Sequence, residues 1–236
     1  MTSETSYRPL PLADRRDLTD AEGLVDVRQY LDLMRTRHSI RDYSNRPVPQ
    51  EIITTAIAAA GTAPSGANQQ PWFFAAISDP ELKAQIREAA EAEEEKFYSG
   101  RAGDAWLAAL EPIGTGVEKP HLTQAPWLIV IFAQRYGVAP DGTRQKHYYV
   151  PESVGIATGI LITALHAAGL YCLTHTPNPM GFLNQTLDRP EHEKPVMILA
   201  VGHATEDATV PAAANIKKPL EEIMALYQAQ TSEKDT

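Results

Sequence analysis

The chain has 236 residues, 43% of them hydrophobic and 22% charged, which suffices to bury a core in one domain or at most two. A formal net charge of -9 disfavours nonspecific binding to nucleic acid or to an anionic membrane, so any grip on a phosphate must come from a local basic cluster. A single cysteine, Cys172, excludes an intrachain disulfide and a cysteine-built metal knuckle, and points to a reducing cytoplasm.

The first residues, MTSETSYRPLPLADRR, show no basic-then-apolar signal pattern, and no apolar run approaches about 18 residues, so the expectation is a soluble, cytoplasmic protein without a membrane partner. Residues 1–25 read as an N-terminal arm, 26–226 as one domain and 227–236 as a polar tail. VDVRQYLDLMRTR (25–37) has helical periodicity, and VPQEIITTAIAAAG (48–61) opens with a proline near its start and stops on Gly61, as a capped helix does. PWFFAAIS (71–78), WLIVIFA (127–133) and PVMILAVG (195–202) are short, apolar and bounded by turn signals, which predicts buried strands. ESVGIATGILITALHAAGL (152–170) reads as a long helix without a polar face, buried on most sides or set at an interface. Helices interleaved with separated strands predict a mixed layout around a central sheet.

Three stretches can carry chemistry. In RTRHSIRDYS, Arg37, Ser39 and Arg41 alternate, so an extended segment would point two guanidiniums and a hydroxyl the same way, as a phosphate clamp; a basic helix end interacting with its dipole is the plainer alternative. In TAPSGANQQPW, small residues from Pro64 to Asn68 would let a flat ligand lie against the backbone, or simply form a helix-to-strand loop. In LTHTP, Thr174 and Thr176 close a strand, where threonine is common in any case. GTGVEK lacks Walker spacing and no GxGxxG occurs. The seven histidines form no HExxH or paired spacing, so no metal site is expected; His166 and Cys172 read as core residues. In EAEEEKFY (91–98), Glu94 and Tyr98 share a helix face, and Glu91, Glu93 and Glu95 read as solvated charges.

In this order, RxRHSIRDY, GTAPSGANQQPW, GIATGILITALHAAGL, LTHTP and KKPLEEI resemble the FMN-dependent nitroreductase superfamily over residues 30–226. GTAPSGA, EEEKFY, the 106–119 segment, KHYY, RPEHEKPVM and ATVP are similar to its iodotyrosine deiodinase branch. The resemblance implies an α+β sandwich with a central sheet flanked by helices. It also implies an obligate homodimer whose C-terminal segment reaches the partner subunit, and a lid over about 88–120. It implies FMN held by Arg37, His38, Ser39, Arg41 and Lys217, lined by Pro64, Ser65, Gly66 and Asn68, with Thr174, His175 and Thr176 beside the ring and the Thr176 hydroxyl near its N5. Lysine at 217 keeps the charge of the arginine that relatives can carry there but loses the bidentate fork. Ala67 would offer its backbone N–H to a phenolate, while Glu94, Tyr98 and Lys119 would clamp an amino acid zwitterion. The implied reaction is reductive dehalogenation of halotyrosine by one-electron steps, with electrons from a reductase or NAD(P)H. A broad nitro or quinone reductase, and a halotyrosine- or flavin-binding protein without turnover, are the alternatives.

Overall fold

The computed structural model describes residues 7–228, so the first six residues of the expected arm and the tail from 229 onward lie outside the described residues. The chain forms two compact units that divide after Arg37. In the first, helix α1 (Asp20–Arg35) starts where Thr19 and Glu22 close a capping box: the Thr19 hydroxyl accepts from the Glu22 N–H at 3.3 Å, and the Glu22 carboxylate accepts from the Thr19 N–H at 2.8 Å. The helix therefore begins before residue 25. None of its residues is buried, and Leu24, Val25, Val27, Tyr30 and Leu31 are exposed.

The second unit contains helices α2 (Gln50–Gly61), α3 (Pro80–Lys96), α4 (Asp104–Leu110), α5 (His121–Gln124), α6 (Val150–Ala167), α7 (Phe182–Thr186) and α8 (Leu220–Ile223). Its strands are β1 (Trp72–Ile77), β2 (Trp127–Gln134), β3 (Tyr136–Val138), β4 (Arg144–Lys146), β5 (Tyr171–His175) and β6 (Glu193–Gly202). Four strands form a sheet in the order β1-β2-β6-β5, every pair antiparallel, while β3 and β4 make a separate hairpin. An antiparallel sheet covered by helices places the fold in the α+β class.

The two central strands are buried on both faces, which is why they read as unbroken apolar runs. Leu128, Val130 and Phe132 of β2 point with Ile198 and Ala200 of β6 into one core, shared with Ile86 and Ala90 of α3 and Leu122 of α5. The alternate residues, Ile129 and Ile131 with Leu199 and Val201, point into a second core against Ile53, Ala56 and Ala60 of α2 and Val154, Leu161 and Leu165 of α6. By length and composition alone α6 could cross a bilayer, but seven of its residues are buried in this unit. Its other face leaves Gly155, Ile156 and Gly159 exposed, so burial is one-sided within the single chain.

The segment entering the second unit is tied down by Ile40 and Tyr43, both buried, and the Tyr43 hydroxyl donates to the Ala200 carbonyl at 2.8 Å. Gly202 makes that docking possible: a Cβ there would lie 2.6 Å from Pro126 Cδ and 3.0 Å from Tyr43 Cδ1. Gly202→Ala is therefore expected to destabilise the protein by about 1–3 kcal/mol, the usual cost of overpacking, as measured by urea unfolding.

His121 opens α5 and His175 ends β5; their rings meet edge to face with centroids 5.5 Å apart, and neither Nε2 has a hydrogen-bond partner. Burial, reinforced by the Lys119 charge, pushes His121 down from 6.5 to about 4; burial, then His121 and Lys119, push His175 down to about 3. Unfolded, both take up protons near pH 6.5; folded, they stay neutral far below it. Stability that is complete above pH 6.5 is thus lost as pH falls towards these folded values. Urea titrations between pH 6.5 and about 5, where most carboxylates are still ionised, should show this loss, and a His121→Phe, His175→Leu double variant should flatten it.

Candidate active site

Helix α3 carries one wall of the site. Asp79 caps it, its carboxylate accepting from the Leu82 N–H at 2.9 Å with Pro80 in the first turn, and Ile86 and Ala90 seat it on the sheet without exposure. Lys83, Arg87, Glu91 and Glu94 follow at spacings of four, four and three, so they form one stripe along the helix. The helix then widens into a π-turn over Phe97–Arg101, held where Arg101 donates to the Glu93 carbonyl at 2.7 Å and to its carboxylate at 3.0 Å. That turn presents Tyr98, while Phe97 packs edge to face against Trp106 of α4 with centroids 5.0 Å apart.

Lys119 completes this wall. Its side chain is 4% exposed, and Nζ lies 3.3 Å from Glu94 Oε2 and 5.8 Å from the centre of the Tyr98 ring. The same ammonium donates to Thr115 Oγ1 at 3.2 Å and to the Gly116 carbonyl. Burial lowers the Lys119 pKa; Glu94 opposes that shift and the Arg41 charge adds to it. Glu94, Tyr98 and Lys119, from two stretches of chain separated by α4, are therefore brought together on the wall of a cavity of about 1080 Å³.

Arg41, Thr174, His175 and Thr176 line the same cavity. Thr174 and Thr176 are exposed while His175 between them is buried against His121, the ordinary alternation of a strand. Arg41 has no carboxylate within ion-pair distance among the described residues, leaving a guanidinium on the wall that suits an anionic group such as a phosphate.

Other expected site residues lie elsewhere. Arg37 belongs to the first unit, and His38 and Ser39 are half-buried off the cavity wall. Lys217 is exposed and donates to its own neighbour, the Ala214 carbonyl, at 2.6 Å. Pro64, Ser65, Gly66, Ala67 and Asn68 do not line this cavity; their loop packs at the start of α6. The small residue at 66 is required by the chain itself, because a Cβ there would lie 2.6 Å from the Tyr148 carbonyl oxygen. The Gln69 amide donates to the Lys146 carbonyl and accepts from the Tyr148 N–H, both at 2.8 Å, and the Ser65 hydroxyl accepts from the Gln70 N–H at 2.9 Å. So braced, the loop holds Ala67 and Asn68 at φ 50° and 54° and presents them to solvent.

Two of the acids expected to be solvated are not. Glu91 Oε1 accepts from the Lys119 backbone N–H at 2.6 Å and from Arg87 Nε at 2.8 Å. Glu93 holds Lys96 at 2.7 Å as well as Arg101, and its side chain is 17% exposed. Only Glu95 of the three is fully on the surface. Sequence reasoning also missed the far end of the cavity, where Arg189 pairs with Glu193 at 2.8 Å and stacks on the Phe73 ring. The i, i+4 spacing of Arg189 and Glu193 was the available signal.

The profile of the Nitroreductase family matches residues 34–203. The iodotyrosine deiodinase of Haliscomenobacter hydrossis is 51% identical over 190 residues, covering 80% of this chain and 86% of that protein. Human iodotyrosine deiodinase 1 is 44% identical over 223 residues, covering 94% and 76%. Among solved structures, oxidised iodotyrosine deiodinase bound to FMN and 3-iodo-L-tyrosine superposes with a TM-score of 0.68 at 29% identity, over 85% of this chain and 99% of that one. A BluB-like flavoprotein from Clostridium difficile, at 21% identity and a TM-score of 0.63, shares the fold. The chain belongs to the nitroreductase family and, within it, to the iodotyrosine deiodinases.

Proposed function

We propose that the protein is an FMN-dependent dehalogenase of halotyrosines, taking 3-iodotyrosine to tyrosine and iodide. The observation that carries this reading is the buried Lys119–Glu94 pair beside Tyr98 on the cavity wall. Free amino acids are the ligands that present an ammonium and a carboxylate side by side. Glu94 can pass from the Lys119 ammonium to that of the ligand while Lys119 and the Tyr98 hydroxyl take the carboxylate, so the buried charges stay balanced. Flat nitroaromatics and quinones offer nothing to such a pair.

Arg41, with no carboxylate within ion-pair distance among the described residues, suits the FMN phosphate, and Thr174 and Thr176, exposed on the cavity wall, would contact the ring. Bound FMN supplies the two electrons of the reduction, delivered to it by NAD(P)H or a reductase. In the reaction the carbon–halogen bond breaks, the halogen leaves as halide with the bonding pair, and the ring carbon takes up a proton. Thr176, which directly follows β5 on the cavity wall, is a side chain that would contact the flavin ring.

A second copy of the chain completes the site in this reading. Helix α1 buries none of its residues, α6 leaves Gly155, Ile156 and Gly159 bare, and Ile216, Leu220, Ile223 and Leu226 of the C-terminal segment are exposed. A homodimer would cover these surfaces. It would also let His38, Ser39, Lys217 and the 64–68 loop meet a flavin that this chain's own cavity does not bring them to.

Anaerobic mixing of dithionite-reduced, FMN-loaded protein with 3-iodotyrosine should release one iodide per flavin reoxidised; reoxidation by nitroaromatics alone, without iodide, would identify a general reductase instead. Arg41→Ala should weaken FMN by about 1.5–3 kcal/mol, the scale of a lost hydrogen bond to a charged group, measured by equilibrium dialysis. Glu94→Gln, Tyr98→Phe and Lys119→Gln should each weaken 3-iodotyrosine by about tenfold or more in flavin fluorescence titrations. The exposed Glu95→Gln control should stay within about twofold.

A further inference from the structure

Lys119 reaches Glu94 from a loop, and something must set that reach. The α3 stripe does so. Its first three members grip the segment that carries Lys119: Lys83 Nζ donates to the Ala125 carbonyl at 2.8 Å and to that of Thr123 at 3.3 Å, and Arg87 Nη1 donates to the Thr123 side-chain hydroxyl at 3.1 Å. Glu91 accepts the Lys119 N–H at 2.6 Å while Arg87 holds the same oxygen at 2.8 Å. One turn further on, the stripe meets the Lys119 ammonium through Glu94. Backbone and side-chain tip of one lysine are thus registered on a single helix, three residues apart.

We propose that Glu91 is a positioning residue for substrate selection: by fixing the Lys119 backbone it sets where the ammonium stands relative to Glu94 and Tyr98, and so confers the preference for an amino acid zwitterion over a bare halophenol. The inference rests on the clamp reading given above. Burial on its own would raise the Glu91 pKa, but the Lys119 N–H and the Arg87 guanidinium bring it below the ordinary value, so the carboxylate is charged and strongly accepting whenever the site is in use. Loss of that acceptor frees the 116–120 turn to shift, and displacements of about 1 Å suffice to spoil a geometry-dependent contact.

The test uses FMN-loaded protein and compares 3-iodotyrosine with 2-iodophenol by flavin fluorescence titration and by the KM and kcat of dehalogenation. Glu91→Ala is expected to reduce the preference for iodotyrosine by about tenfold, expressed in Kd and KM, with FMN affinity and iodophenol Kd as in the parent. Glu91→Gln keeps an acceptor for the Lys119 N–H and should restore most of the preference. An unchanged preference in Glu91→Ala, or equal losses on both ligands, overturns the proposal. If Glu91→Ala does not fold, Arg87→Met removes the brace on Glu91 and should lower the same preference to a smaller degree; no change there overturns the proposal equally. A parent protein that shows no preference for iodotyrosine over iodophenol would instead dismiss the clamp reading, and that result is visible before any variant is made.

Discussion

An ammonium buried to 4% exposure has to be surrounded by acceptors, and meeting that demand for Lys119 organises one side of the molecule. Glu94, Thr115 and Gly116 supply the acceptors, the Tyr98 ring lies beside the charge, and Glu91 holds the backbone from which it projects. None of these groups could be placed without α3 being firmly seated, which is the task of Ile86 and Ala90 in the first core. Desolvation weighs against the charged form of Lys119, and the Glu94 carboxylate offsets it. The pair is therefore better understood as a device for holding two opposite charges ready than as a source of stability.

The cavity has a second electrostatic character. His175 lines it with His121 packed against it, both kept neutral by burial and by cations nearby, while Arg41 has no carboxylate within ion-pair distance among the described residues. The lining thus holds both a paired cation, Lys119 with Glu94, and Arg41, which no carboxylate among the described residues pairs. A ligand carrying a net anionic group and one carrying no net charge would each find side chains that suit it without competing for the same ones.

Much of the fold was legible because the central strands face two cores. Burial on both faces forces β2 and β6 into continuous apolar runs, and α6, buried on one side only, packs Val154, Leu161 and Leu165 into the second core. The β3–β4 hairpin escaped detection: three-residue strands, one of them Arg144–Lys146, carry no apolar alternation to find. Within the site, Glu94, Tyr98 and Lys119 were legible through family resemblance, with the four-residue spacing as support. Glu91 was not, because its partner is a backbone N–H 28 residues away, and no pattern of side chains encodes a main-chain donor. The glycine at 66 was read as room for a ligand or as part of a plain loop, and neither reading could show that the Tyr148 carbonyl crowds it. Such requirements appear only when distant backbone segments meet.

The brace between Gln69 and residues 146 and 148 joins the 64–68 loop to the start of α6 as one piece of backbone. What that loop offers at Ala67 is a main-chain group, held by neighbours rather than by its own side chain. A contact made there is largely indifferent to which small side chain occupies 67 or 68, yet it depends wholly on position 66 having none. Side-chain tolerance thus changes along three consecutive residues: 67 and 68, exposed at positive φ, admit other unbranched side chains, and 66, pressed against the Tyr148 carbonyl, admits none.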